Sequence, residues 1–133
     1  MGILFVSPHL EDAIALPRML DSLSVTMEHV ADLAHARPKI RDGSFRVILT
    51  EANLPDGTWL DVLDLARLVK PVSEVIVTDP DADPRFWAEA LNLGAYDLIA
   101  QPFAVSEVRR ILSNACSRSV SRAPVHALGC ARS

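Results

Sequence analysis

Short, uninterrupted apolar runs alternate along this chain with longer segments in which apolar residues recur every three or four positions. The runs lie at residues 3–6, 47–50 and 75–78, a further strand is predicted at residues 96–100, and a weaker candidate lies at residues 25–27. An apolar run without polar alternation is typical of a strand that is covered on both faces. The alternation therefore predicts five βα units, in which helices cover both faces of a parallel sheet.

The helical segments contain or adjoin several proline and glycine residues. The five helical segments lie at about residues 13–23, 30–42, 58–69, 84–93 and 104–116. Pro17 and Pro38 fall inside the first two segments and should kink or shorten them, because proline lacks a backbone N–H. Pro71 is expected to end the third helix, Pro84 to begin the fourth and Gly94 to end it.

Length and composition limit the classes of protein to which the chain can belong. Its 133 residues suffice for one domain, expected at residues 1–116. Residues 117–133 are rich in Ser, Arg, Ala and Pro without periodicity, which predicts a flexible tail or the stump of a linker. The chain has 17 acidic and 13 basic residues and only 5% aromatic residues. This composition argues against nucleic-acid binding.

The cysteine content and the apolar runs indicate the expected compartment. The two cysteines, Cys116 and Cys130, cannot form a disulfide framework. No apolar run approaches eighteen residues, and residues 1–6 lack the basic region and the cleavage site of a signal peptide. We therefore expect a cytoplasmic location without membrane contact.

Three segments of the chain are in register with motifs of bacterial response-regulator receiver domains. Residues 47–57 resemble the third-strand region of these domains, 75–78 the fourth strand with its switch threonine, and 93–103 the fifth-strand motif. The resemblance covers residues 2–116. It implies a three-layer, doubly wound α/β fold of the flavodoxin or receiver type, with a five-stranded parallel sheet in the order 2-1-3-4-5. In such sheets the functional site lies beyond the carboxyl ends of the strands.

Other residues fill the positions that carry the chemistry of this family. By the resemblance, Glu51 stands at the phosphoacceptor aspartate, four residues before Pro55. Ser7 and Pro8 stand where two acidic residues hold Mg²⁺, and Gln101 stands where the family has a lysine. Phosphoryl transfer to a carboxylate needs a nucleophile, a divalent cation and cationic stabilisation. These departures therefore predict that the chemistry has been lost.

The switch positions of the family are retained only in part. Thr78 matches the switch threonine, whereas Leu98 stands at the position of the switch aromatic residue. Asp79 replaces the small residue that usually follows the threonine. The resemblance also implies a cis peptide bond between Gln101 and Pro102.

The resemblance implies a signalling module of a two-component or phosphorelay system. We expect a pseudo-receiver that is not an enzyme, has lost its Mg²⁺ site, needs no cofactor and acts through protein contacts. Its partner would be a histidine kinase or an output protein, and residues 85–116, with Arg109 and Arg110, would form a contact or homodimer face. Two alternatives remain open, namely a divergent but active phosphoacceptor and a small flavodoxin-like binder of a nucleotide or flavin.

Several side chains have a structural interpretation beside a functional one. Glu51 is either a mimic of the phosphorylated state, reaching toward Thr78, or an idle polar residue at the end of a strand. Trp59 and Trp87 are either contact residues or core residues. Asp12 is expected in the first turn of the first helix, where its charge suits the helix dipole.

The alternating carboxylates Asp79, Asp81 and Asp83 resemble the start of a calcium loop. A complete loop needs glycine at its sixth position and glutamate at its twelfth, where this chain has Pro84 and Ala90. We therefore expect a solvated acidic loop. A weaker alternative is that Asp79 recruits a metal together with the glutamate that ends the third strand.

Overall fold

The computed structural model describes residues 2–21, 23, 25–69, 72–81 and 83–121. In chain order the elements are β1 (Gly2–Val6), α1 (Leu10–Met19), β2 (Thr26–Val30), α2 (Leu33–Arg41), β3 (Val47–Glu51), β4 (Asn53–Leu54), β5 (Gly57–Thr58), α3 (Trp59–Arg67), β6 (Glu74–Asp79), α4 (Pro84–Leu93), β7 (Asp97–Ala100) and α5 (Val105–Ser121). Pro71 and residues 122–133, for which we predicted a helix end and part of a tail, lie outside the described residues.

Five strands form one parallel sheet in the order β2-β1-β3-β6-β7. When only these strands are counted the order is 2-1-3-4-5, so the predicted fold class is confirmed. The register pairs Val6 with both Val30 and Thr50, and it pairs Glu51 with Thr78. The carboxyl ends of these strands therefore share one edge of the sheet, which is where a site is expected.

The sheet is buried on both faces by two groups of helices. One face packs against α2, α3 and α4, and the other packs against α1 and α5. Within β1, Leu4 and Val6 point to the first group, whereas Ile3 and Phe5 point to the second. All four side chains are completely buried, which explains why the strands appear in the sequence as continuous apolar runs.

The second βα unit differs from its prediction. Strand β2 continues to Val30, and helix α2 begins at Leu33 rather than at residue 30. The physical reason is the N-cap, Asp32, whose carboxylate accepts a hydrogen bond from the backbone N–H of His35 at 2.9 Å. An N-cap residue has extended rather than helical backbone, so α2 cannot begin before it.

The segment at 53–57, predicted as a loop, forms most of the two-stranded hairpin of β4 and β5, which ends at Thr58. In its turn, the carboxylate of Asp56 accepts hydrogen bonds from the backbone N–H groups of Leu33 at 2.8 Å and Ala34 at 3.0 Å. These N–H groups belong to the first turn of α2, where helix geometry leaves donors without partners. The hairpin therefore anchors the beginning of α2.

The beginnings and ends of α3 and α4 follow local sequence signals. Thr58 caps α3 as part of a capping box, and Asp83 caps α4 ahead of Pro84 in its first turn. Gly94 ends α4 with a φ of 122°, a backbone conformation that side chains with a Cβ rarely adopt. The predicted roles of Pro84 and Gly94 are confirmed.

Two helices differ in extent from the expected segments. Helix α5 spans Val105–Ser121 and so passes residue 116, because neither proline nor glycine interrupts this part of the chain. Pro17 and Pro38 lie inside α1 and α2, and α1 ends at Met19, soon after its proline. The early end of α1 agrees with the predicted shortening.

Candidate functional site

Four polar side chains from four parts of the chain meet at the carboxyl edge of the sheet. Ser7 follows β1, Glu51 ends β3, Thr78 lies near the end of β6, and Gln101 follows β7. Ser7 and Thr78 are fully buried and Glu51 is 4% exposed, whereas Gln101 is half-buried. These four residues, here called the Glu51 network, occupy four of the positions that the sequence singled out.

Gln101 links Glu51 to Thr78 in this network. Oε2 of Glu51 accepts hydrogen bonds from Ser7 Oγ at 3.1 Å and from Gln101 Nε2 at 3.0 Å. The same Nε2 donates to Thr78 Oγ1 at 3.1 Å, and Thr78 Oγ1 donates to the carbonyl of Ile99 at 2.8 Å. The amide of Gln101 therefore bridges the carboxylate and the threonine.

Ser7 is held firmly in the network by its own backbone and neighbours. Its N–H donates to the carbonyl of Val30 at 3.0 Å, and its Oγ accepts a hydrogen bond from the N–H of His9 at 3.0 Å. The carbonyl oxygen of Ser7 lies 2.7 Å from Nε2 of His29. Pro8 is exposed. Of the two residues at the positions of the acidic pair, Ser7 is thus the one that contacts the network.

The surroundings of Glu51 disfavour the charged form of its carboxyl group. Burial raises the pKa of Glu51 above its ordinary value of 4.5, and the hydrogen bonds from Gln101 and Ser7 offset this effect only in part. The negative charge of Asp12, in the first turn of α1, raises the pKa of Glu51 further. Burial also raises the pKa of Asp12 itself.

The residues present do not fit the magnesium site that the receiver family implies. Mg²⁺ is held by carboxylates and other oxygen ligands, whereas Ser7 offers a hydroxyl and Pro8 has no ligand atom in its side chain. Oε2 of Glu51 already accepts two hydrogen bonds. Within the described ranges, no group of three or more His, Cys, Asp and Glu residues is arranged to hold a metal ion. The weaker alternative of a metal shared by Asp79 and Glu51 gains no support from these residues.

The position of the family's switch aromatic residue belongs to the core in this protein. Leu98 is 1% exposed and packs in the layer between the sheet and α2, α3 and α4. A buried aliphatic side chain has no polar group to present at the surface. The peptide bond between Gln101 and Pro102 is cis, as the resemblance implied.

The two tryptophans and the acidic loop have clear structural surroundings. Trp59 is 4% exposed in the core, and the half-buried Trp87 packs against the same core. The core interpretation is therefore confirmed for Trp59. In the acidic loop, Asp83 accepts a hydrogen bond from the N–H of Phe86 at 2.9 Å and so serves as a helix cap.

Two features of the site were not foreseen from the sequence, namely the bridging amide of Gln101 and the proximity of Asp12 to Glu51. The resemblance assigns to Gln101 only the position of a lysine. The predicted strand order contained a usable signal, because it makes β6 and β7 neighbours and so brings Gln101 close to Thr78. An amide can donate two hydrogen bonds, which suits a position between two acceptors.

The fold and the polar site at the carboxyl edge of the sheet define a doubly wound α/β domain, and several solved receiver domains have a similar fold. The beryllofluoride-activated NtrC4 receiver domain dimer matches 89% of this chain and 98% of its own, with a TM-score of 0.80 and 24% identity. The receiver domain of an HD domain-containing protein from Pseudomonas fluorescens Pf-5 matches 91% and 98%, with a TM-score of 0.79 and 22% identity. The chemotaxis response regulator CheY4 of Vibrio cholerae matches 86% and 97%, with a TM-score of 0.76 and 19% identity.

A similar sequence is found among curated proteins. The swarming motility regulation protein RssB of Serratia marcescens is 31% identical over 108 residues, which cover 81% of this chain and 49% of RssB. The chain thus spans about half the length of this curated relative. No protein-family model matches the chain. The chain therefore has the fold of response-regulator receiver domains, and the resemblance seen in its motifs is confirmed.

The helices in the described part of the chain are 9 to 17 residues long. None of them is both long enough and apolar enough to cross a bilayer.

Proposed function

We propose that this chain is a receiver-like signalling module of a two-component or phosphorelay system, and that it is not phosphorylated by the family's aspartate and magnesium chemistry. The observation that carries the proposal is the pair of hydrogen bonds that Ser7 and Gln101 donate to Oε2 of Glu51. Two uncharged donors engage the oxygen at the position where the family has its nucleophile. The module then acts through protein contacts.

The chemistry of phosphoryl transfer supports this proposal. Transfer depends on positioning and on cationic stabilisation of developing charge, and the Glu51 network supplies an amide and two hydroxyls instead. Glutamate extends its carboxylate one methylene further than aspartate, and a misplacement of about 1 Å can cost about 100-fold in rate. Burial also favours the protonated form of Glu51, which is a poorer nucleophile than the carboxylate.

A second part of the proposal concerns Thr78. Its hydroxyl donates to the carbonyl of Ile99 and accepts from Gln101, so its donor and one acceptor site are both in use. We propose that Gln101 holds Thr78 in this arrangement and that Glu51, through Gln101, substitutes for a phosphoryl group as a constant anchor. The surface presented to partners would then be constant.

The first test is intact-mass spectrometry after incubation of the full chain with acetyl phosphate and Mg²⁺. A receiver domain with the family's aspartate, acidic pair and lysine is treated in parallel as the positive control. We expect no phosphate adduct on this chain, because the donor set lacks cationic stabilisation.

A matched variant makes this result specific. Glu51→Gln keeps the size of the side chain but removes the carboxylate, so any adduct present on both proteins lies elsewhere. An adduct that forms on the wild-type chain and is lost in Glu51→Gln contradicts the proposal and establishes the alternative of a divergent phosphoacceptor.

The proposed partners are a histidine kinase or an output protein, and the proposed contact or homodimer face is residues 85–116. On this face Leu91 is 46% exposed and Val105 is 50% exposed, and Arg110 is exposed on α5. The NtrC4 receiver domain, which has a similar fold, is described as a dimer. The proposal includes a cytoplasmic location and no role in binding nucleic acid.

A further inference from the structure

A cleft of about 350 Å³ lies between the β4–β5 hairpin and the loop that joins β6 to α4. Its lining includes Trp59 and Leu60 from α3, Phe86 from α4, Asp79 at the end of β6 and Asp83 from the loop. Its volume is in the range of small-ligand and side-chain pockets. The proposed signalling role makes no use of this cleft.

Aromatic and aliphatic side chains form the apolar part of the cleft. The rings of Trp59 and Phe86 meet edge to face, with centroids 6.3 Å apart and an interplanar angle of 89°. Trp59 is almost completely buried, Phe86 is half-buried, and Leu60 is 42% exposed. The cleft therefore combines a firmly packed aromatic wall with exposed apolar surface.

The polar part of the cleft carries the carboxyl groups of Asp79 and Asp83, and neither forms an ion pair with a described residue. Within the described ranges, the ion pairs join Lys39 with Glu28 and His35 with Asp32, far along the chain from this loop. The pKa of Asp79 is raised by burial and by the negative charges of its neighbours in the loop. Burial has the largest effect on this pKa, and the negative charges of Asp81 and Asp83 act in the same direction.

We propose that this cleft binds an arginine side chain presented by a partner protein. A guanidinium group is planar and can pair with carboxylates through two parallel N–H donors, here with Asp79 and Asp83. Its flat face can also stack on an aromatic side chain, here Phe86. A compact ammonium group lacks the planar fork and the stacking surface, so lysine satisfies the same cleft less well.

A short backbone path joins the cleft to the Glu51 network. The N–H of Ala52 donates to the carbonyl of Thr78 at 3.0 Å, and the N–H of Trp59 donates to the carbonyl of Ala52 at 3.0 Å.

The arginine proposal rests on the proposed function in one respect. A module that acts through protein contacts needs a partner, and the proposal names the chemistry of that partner. The phosphate experiment probes Glu51 and the experiment below probes the cleft, so the failure of one is distinguishable from the failure of the other.

The test is an NMR titration of the full chain with short, uncharged-end peptides of the sequence Gly-Ser-Xaa-Ser-Gly, where Xaa is arginine, lysine or glutamate. The indole N–H signals of the two tryptophans report on binding, and the variant Trp87→Phe assigns the signal of Trp59. We expect saturable movement of the Trp59 signal with the arginine peptide and about threefold weaker binding of the lysine peptide. The glutamate peptide should leave the signal unmoved.

Two matched variants locate the binding site. Asp79→Asn preserves the size of the side chain and should weaken binding of the arginine peptide about tenfold, because a charge-assisted hydrogen bond is lost. Asp64→Asn removes an equal charge from the exposed face of α3 and should leave binding unchanged. Circular dichroism melting of each variant verifies that it is folded.

Three results would overturn the proposal. One is a Trp59 signal that does not move with the arginine peptide at millimolar concentration. Another is equal binding of the arginine and lysine peptides, which would leave only general attraction to a cation. The last is equal weakening by Asp79→Asn and Asp64→Asn, which would show that net charge rather than this cleft controls binding.

Discussion

Glu51 is an acidic residue whose two hydrogen-bonding partners in the site, Ser7 and Gln101, are both uncharged. Hydrogen bonds of this kind stabilise a carboxylate, but burial acts in the opposite direction and has the larger effect on its pKa. The folded chain therefore binds a proton at Glu51 more tightly than the unfolded chain does. The stability of the domain must depend on pH through this residue.

The direction of the pKa shift predicts the effect of pH on Glu51→Gln. The folded pKa lies above 4.5, so the contribution of Glu51 to stability decreases as pH rises from about 4.5 to the folded pKa and stays at the lower level above it. We expect urea unfolding to show that Glu51→Gln gains stability relative to wild type across this window. Its amide oxygen can still accept from Ser7 and Gln101.

A control separates this effect from that of net charge. Glu89→Gln removes an equal charge from the exposed face of α4, and its stability relative to wild type should be unchanged across the same window. A Glu51→Gln variant whose stability difference from wild type is constant from pH 4 to pH 8 would contradict a raised pKa at Glu51.

At the scale of residues, sequence motifs identified the positions of the site but not its connections. Ser7, Glu51, Thr78 and Gln101 could each be assigned to a strand end. Their hydrogen bonds could not be predicted, because the amide of Gln101 donates to the carboxylate of Glu51, which lies 50 positions away in the chain. Which of two acceptors an amide contacts depends on side-chain geometry that only the folded sheet defines.

At the scale of elements, the β4–β5 hairpin is a structural connection between the site and α2. It begins two residues after Glu51, and its turn residue Asp56 accepts hydrogen bonds from two backbone donors of α2. The hairpin also packs closely, because a Cβ on Gly57 would lie 2.8 Å from a methyl group of Leu33. The hairpin and the start of α2 therefore form one packed unit.

We expect Asp56→Ala to destabilise the domain by about 1–2 kcal/mol, because two donors of the first turn of α2 lose their acceptor. Asp56→Asn keeps one acceptor oxygen and should lose about half as much. Asp64→Ala, on the exposed face of α3, is the control and should stay within about 0.5 kcal/mol of wild type. Urea unfolding measures all three, and equal losses for Asp56→Ala and Asp64→Ala would contradict the anchoring role.

Elements were predictable where periodicity and local signals agreed. Strands β1, β3 and β6 and the start of α4 at Pro84 followed from apolar runs and from proline. The boundary between β2 and α2 was missed because Val30 fits a helical spacing with Leu33, and only pairing with β1 identifies it as a strand residue. The hairpin was missed because strands of two residues have no measurable period.

At the scale of the whole molecule, helices cover both faces of the sheet, and the outer surface of the helical layers carries several exposed leucines. Leu91 lies on α4 within the proposed contact face, and Leu68, which is 74% exposed, follows α3 outside it. Large exposed apolar side chains often mark contact surfaces. Substitutions at Leu91 and at Leu68 therefore compare the proposed contact face with a surface that lies outside it.

If residues 85–116 form a homodimer face, light scattering of the full chain should show a dimer at high micromolar concentration. Leu91→Glu should shift the mass toward that of a monomer, because a charge would be buried in the contact. Leu68→Glu should leave the mass unchanged. A wild-type chain that stays monomeric at the highest accessible concentration would rule out this dimer.

The shared acceptor in the Glu51 network has a consequence for the evolution of this site. Because Ser7 and Gln101 both donate to the same oxygen of Glu51, the effect of changing one of these residues depends on the others, which is a case of epistasis. Shortening Glu51 to aspartate alone would leave two inward donors without their acceptor, and restoring an acidic residue at Ser7 alone would place two carboxyl groups side by side. A mutational path from these residues to a phosphoacceptor site would therefore run through less stable intermediates, so we expect the three residues to change together.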